Sequence, residues 1–186
     1  GYRSGTIEER ANELNEFLRD PTVRCIMSAI GGSNSNSLLP YLDYDAFRKD
    51  PKVIVGYSDA TAILLALYAK TGIPVFYGPA FVASFGEFPP FVEETYAHFH
   101  SMTQAGTSHP KPLSFPAEWT DEMISWEEQD TAKVGRKNSV EFQGSGTFSG
   151  RLMGGNLHTL AGIWGSPYMP EIKEGDILLI EDSLKT

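Results

Sequence analysis

The chain has 186 residues, 41% hydrophobic, 12% aromatic and 21% charged, with a formal net charge of −9. This is an ordinary soluble globular profile, and an acidic balance without any basic run argues against nucleic-acid binding by charge. The apolar stretches fall short of a membrane span, and a single cysteine, Cys25, excludes an internal disulfide and a cysteine-rich metal site.

Thr6 and Glu9 are spaced as a capping box, in which each side chain satisfies an orphan backbone amide of the first helical turn. Ile7, Ala11, Leu14, Phe17 and Leu18 then line one helical face until Asp20-Pro21 stops the helix. Residues 23–30 predict a strand, with Cys25 a small buried member, running into Gly31-Gly32-Ser33-Asn34. Residues 43–49 read as a short helix and the β-branched run Val53-Ile54-Val55 as a buried strand. Residues 60–70 hold strong helix formers, with Ile63, Leu64, Leu67 and Tyr68 at helical spacing and Gly72 as a stop. Residues 74–77 form another short strand, closed by Gly78-Pro79.

This alternation implies parallel pairing with crossover helices on the sheet faces, an α/β, Rossmann-like N-terminal domain. Residues 91–102 read as a helix, and the Gly-, Ser-, His- and Pro-rich stretch 104–116 as a boundary loop dividing domains 1–108 and 109–186. Beyond it, residues 122–126 and 139–143 have β character, 156–164 read as a short helix and 176–180 as an apolar strand. This second part reads as an incomplete mixed α+β domain. The first and last residues belong to no finished element, so the chain is expected to be cut at both ends.

Ser58 falls where a strand gives way directly to a helix, between Gly56 and Ala60. That is the shape of a nucleophile elbow with alanine in place of the usual second glycine; the alternative is that Ser58 simply caps the helix. In open α/β sheets ligands bind outside the carboxyl ends of the strands, where Gly31-Gly32 and Ser58 both lie. The glycine amides and the Asp59 N–H could form an oxyanion hole, or the glycines could make a plain tight turn. A serine nucleophile needs a base and the base an acid. None of His98, His100, His109 and His158 has the local setting of that base, and zinc-ligand spacing is absent. Glu181, at the end of the apolar run 177–180, is the acid candidate, the alternative being a solvated strand terminus shared with Asp182. Trp119 and Trp126 are either core anchors, which composition favours, or a stacking wall for a planar ligand group.

Asp20-Pro21, Gly31-Gly32, Leu38-Leu39-Pro40, Gly56-Tyr57-Ser58-Asp59, Gly154-Gly155-Asn156-Leu157 and the run 177–182, in this order, resemble the LD-carboxypeptidases and the related microcin C immunity peptidases. The resemblance covers essentially the whole chain. It implies a cytoplasmic serine hydrolase, commonly a homodimer, with a Ser-Glu-His triad and no metal or cofactor. Its substrates are peptides or peptidyl-nucleotides, and neither nucleic acid nor membrane is a partner. Ser58 matches the nucleophile, Glu181 the triad glutamate, and Gly31 and Asp59 the backbone positions around the oxyanion. One branch cleaves the L-to-D amide of murein tetrapeptides; the other cleaves the amide joining an acyl-amino acid to a nucleotide-like group. Trp119 and Trp126 fall in the loop that stacks on the base in the second branch, Lys185 matches a ligand-holding lysine, and Asn156 is a polar ligand contact. These features tilt the reading toward the immunity branch. The family's triad histidine lies well downstream of the glutamate, and no histidine here matches it, so the chain alone is expected to lack turnover. A non-catalytic ligand-binding relative and an unrelated doubly wound domain are the competing readings.

Overall fold

The computed structural model describes residues 5–104 and 111–182. Residues 1–80 with 149–186 form one compact unit and residues 81–148 another. His109 and Lys185 lie outside the described residues.

In the first unit, α1 (Ile7–Arg19) starts at the expected capping box: the Thr6 N–H donates to Glu9 Oε2 at 2.7 Å and the Glu9 N–H to Thr6 Oγ1 at 3.1 Å. Strand β1 (Cys25–Met27) is shorter than the 23–30 segment predicted. A 3-10 turn (Ser35–Tyr41) that the sequence reading missed leads to α2 (Tyr44–Lys49), capped by Asp43, which accepts from the Ala46 N–H. Then come β2 (Val53–Gly56), α3 (Thr61–Thr71), ending at left-handed Gly72, and β3 (Phe76–Tyr77). Strands β1, β2 and β3 pair in that order, all parallel, with Cys25 opposite Val53 and Val55 opposite Phe76. The expected α/β fold with a parallel sheet is therefore present.

Cys25 is exposed, not buried as expected. It opens the outer strand β1, which among the described residues pairs only with β2, so one flank of the strand lacks a neighbour.

Helix α3 is the centre of the unit. Ala62, Leu65 and Ala66 pack with Ala11, Leu38, Leu39, Leu160 and Ile163; Leu64 and Leu67 pack with Leu18, Phe47 and Ile54. Each leucine, isoleucine or phenylalanine among them contributes about 1.5–3 kcal/mol by leaving water. Being wedged between two apolar clusters, α3 fixes the turn that precedes it.

Strand β6 (Leu152–Asn156), which Gly154 and Gly155 disguised in the sequence, pairs in parallel with β7 (Ile177–Glu181), placing Asn156 opposite Glu181. The two backbones approach this closely because Gly154 has no Cβ: one placed there would come 1.8 Å from the Leu179 carbonyl oxygen. Helix α5 (Leu157–Ile163) follows, with Asn156 as its N-cap instead of its first helical residue.

The second unit holds a π-helical turn (Phe81–Phe85), α4 (Phe91–Thr103) and a two-stranded antiparallel ribbon, β4 (Glu118–Trp119) with β5 (Arg136–Lys137). The β character expected at 122–126 and 139–143 is not realised. The Glu122 carboxylate instead accepts the Val134 N–H at 2.7 Å, and the backbone turns at Ser125, whose carbonyl accepts from Glu128 and Gln129. Glu87 and Lys133 form a mostly buried ion pair of 2.5 Å. Burial pushes the Glu87 carboxyl up, but hydrogen bonds from Lys133 and Gln129 outweigh it and hold the group below its usual range.

Candidate active site

Ser58 leaves β2 with φ 55, the left-handed region that a non-glycine residue enters only at a cost of roughly 1–3 kcal/mol. Two bonds hold it there. Its N–H donates to the Tyr77 hydroxyl at 3.0 Å, and its carbonyl accepts from the Thr61 hydroxyl at 2.6 Å. A Cβ on Gly56 would sit 2.8 Å from the Ala60 Cβ and 2.6 Å from Ser28 Oγ, so the turn closes only because glycine precedes the serine; alanine is tolerated after it.

The loop after β1 folds back onto this turn. A Cβ on Gly31 would lie 3.0 Å from the Ser58 Cβ and 3.2 Å from its Oγ, so the Ser58 side chain rests directly against Gly31. The Ser35 N–H donates to Asp59 Oδ2 at 2.9 Å, and the Ser35 hydroxyl donates to the Asp59 carbonyl. A cleft of about 310 Å³ opens here, lined by Gly32, Asn36, Ser58, Asp59, Asn156 and His158 among others.

Glu181 joins the same site from β7. Its Oε2 accepts from the Tyr77 hydroxyl at 2.5 Å and from Asn156 Nδ2 at 3.1 Å. Burial, then the bond to Glu181, pushes the Tyr77 phenol up to about 12, so it is a proton donor at neutral pH. The Asn156 N–H donates to the Thr61 hydroxyl at 3.0 Å, and Asn156 Oδ1 accepts from the Thr159 N–H. Thr61 thus links the serine turn to β6 through one buried oxygen.

Ser58, Gly31, Asp59, Asn156 and Glu181 therefore meet at the carboxyl ends of the parallel strands. Trp119 and Trp126 belong to the other unit. Both are exposed, at 44% and 53%, which removes them from any core; the sequence reading had favoured the core. The Arg136 guanidinium lies 5.8 Å from the Trp119 ring centre, and Trp126 lines a hollow with Phe81, Phe85 and Phe88. Tyr77 and Thr61 were missed. Tyr77 ends the third parallel strand, at the same carboxyl edge that singled out Ser58, and that position was the available signal. No described imidazole hydrogen-bonds to Ser58 or Glu181; His158 Nε2 lies 3.6 Å from Asp182. Among the described residues no group of three or more His, Cys, Asp and Glu side chains is placed to hold a metal ion.

Residues 1–78 match the LD-carboxypeptidase N-terminal domain and residues 149–186 the LD-carboxypeptidase C-terminal domain. A Vibrio cholerae protein is 60% identical over 184 residues, which are 99% of this chain and 55% of its own length. The microcin C7 self-immunity protein MccF of Escherichia coli is 54% identical over 187 residues, 100% of this chain and 54% of its own. MccF in complex with aspartyl sulfamoyl adenosine superimposes with a TM-score of 0.94 at 54% identity, covering 100% of this chain and 56% of that one. An active-site mutant of MccF, with a TM-score of 0.92 at 54% identity over 98% of this chain and 55% of that one, carries alanine in place of a serine, an asparagine and a lysine. The murein tetrapeptide carboxypeptidase of Pseudomonas aeruginosa is 27% identical over 186 residues, 97% of this chain and 52% of its own. This chain spans about half the length of the curated relatives it matches. With residues 1–78 matched by one domain model of the family and residues 149–186 by the other, the chain belongs to the LD-carboxypeptidase family.

Proposed function

We propose that this chain carries the nucleophile and acid of a serine peptidase that cleaves the amide of a peptidyl-nucleotide. The observation that carries the reading is the Ser58 side chain, held at positive φ directly against Gly31, with Glu181 tied to the same turn. Ser58 Oγ attacks the amide carbonyl carbon and gives its proton to the triad imidazole. The tetrahedral oxyanion is held by the Asp59 N–H and the Gly31 backbone. The C–N bond then breaks, the imidazole protonates the leaving amine, and water releases the acyl group from Ser58.

Asn156 and Lys185 contact the ligand in this reading, and Trp119 and Trp126 stack on its base. The residue types replaced in the MccF active-site mutant support the serine, asparagine and lysine assignments. The second reading, an L,D-carboxypeptidase acting on murein tetrapeptides, is favoured by the likeness to the Pseudomonas enzyme. A division near residue 108, which falls between the two matched domain stretches, and a cytoplasmic homodimer complete the proposal. In this reading none of His98, His100, His109 and His158 serves as the triad base, and these residues alone are proposed to lack turnover.

The test assays the complete gene product on an acyl-sulfamoyl adenosine and on an L,D-tetrapeptide, with Ser58→Ala beside it. Preference for the first substrate, loss of turnover in the alanine variant with ligand binding retained, and labelling of Ser58 by an acyl-type serine reagent are expected. Silence on both substrates, with binding intact, would establish a non-catalytic relative instead.

A further inference from the structure

Among the described residues, Tyr77 is the side chain whose one polar atom touches both the nucleophile's backbone and the candidate acid. Its hydroxyl accepts from the Ser58 N–H and donates to Glu181 Oε2. Two consequences follow from hydrogen-bond capacity alone. First, the Ser58 amide is already committed, so it is withdrawn from the set of donors that could meet an oxyanion. Second, Oε2 of Glu181 receives two donors, from Tyr77 and from Asn156 Nδ2, while Oε1 accepts from no described residue.

We propose that Tyr77 is a positioning residue for the reaction: its hydroxyl pins one oxygen of Glu181 against the serine turn and leaves the other, Oε1, to orient the triad imidazole. This rests on the reading of Ser58 as nucleophile and Glu181 as triad acid. A ring alone would fill the space at the end of β3. The hydroxyl adds alignment, since a carboxylate held through one oxygen by two donors has little freedom to rotate, and an imidazole bonded to the remaining oxygen inherits that orientation. The same hydroxyl stabilises the unfavourable φ of Ser58, so carboxylate and nucleophile are set by one atom.

The test uses the complete gene product and compares wild type, Ser58→Ala, Tyr77→Phe, Glu181→Gln and the Tyr77→Phe/Glu181→Gln double variant. Two readouts serve: turnover, and the rate at which an acyl-type serine reagent labels Ser58. The phenylalanine variant is expected to fold, to keep KM within about threefold, and to lose about tenfold or more in kcat and in labelling rate. Because much of the effect of Tyr77 runs through Glu181, the double variant should lose less than the product of the two single losses. A kcat and labelling rate within about twofold of wild type, multiplicative losses in the double variant, or a phenylalanine variant that fails to fold would each overturn the proposal. If instead Ser58→Ala retains turnover and wild-type labelling maps elsewhere, it is the peptidase reading that fails, whatever Tyr77→Phe does.

Discussion

Single atoms decide how closely the elements around Ser58 approach one another. At Gly154 the φ is +132 and a Cβ would come 1.8 Å from the Leu179 carbonyl oxygen, so no side chain fits without parting β6 from β7. Gly154→Ala is expected to cost about 2–4 kcal/mol, read as a lowered denaturation midpoint, and to disturb Glu181, whose register depends on that pairing. Gly155 shows the same constraint toward Thr61, where a Cβ would lie 2.6 Å from Cγ2. The sequence displayed both glycines but not their reason, because a paired glycine in a strand and a glycine in a loop look alike until the neighbouring backbone is known.

Helices with side-chain caps and apolar periodicity were legible from the sequence, and so were the strands β2, β3 and β7; β4, β5, β6 and the irregular turns were not. Thr6 and Glu9 predicted the start of α1, and Gly72 the end of α3, because those residues act within one turn of their own backbone. Thr6→Ala should destabilise the protein by about 1 kcal/mol, measurable by thermal or denaturant unfolding, with activity of the complete protein unchanged. The serine turn was legible for the same local reason. The ribbon of β4 and β5 was not, since Glu118-Trp119 and Arg136-Lys137 hold no β-branched or alternating run, and the Glu122 bond to the Val134 N–H draws the backbone away from the pattern its apolar residues suggest. For Tyr77 the sequence offered only its place at a strand end, because its partner Glu181 is distant in the chain and only the sheet ends bring them together.

At the scale of the molecule, one titration reports on the assembled site. The Tyr77 phenol is raised from 10.0 to about 12 by burial and by the Glu181 bond. In the unfolded chain it ionises first, so its contribution to stability is complete below about pH 10 and is lost as pH rises through about 12. Denaturation followed from pH 9 to about 12 should show a steeper alkaline loss in wild type than in Tyr77→Phe, and equal slopes would place the hydroxyl in an ordinary solvated setting. The buried oxygen of Thr61 has a wider consequence. It receives the Asn156 amide and gives its own proton to the Ser58 carbonyl, so two segments far apart in sequence are fastened to one buried atom. The Asn156 side chain reaches the same turn a second way, through Glu181 and Tyr77, so a pull on the asparagine strand is felt at Ser58 from two sides at once.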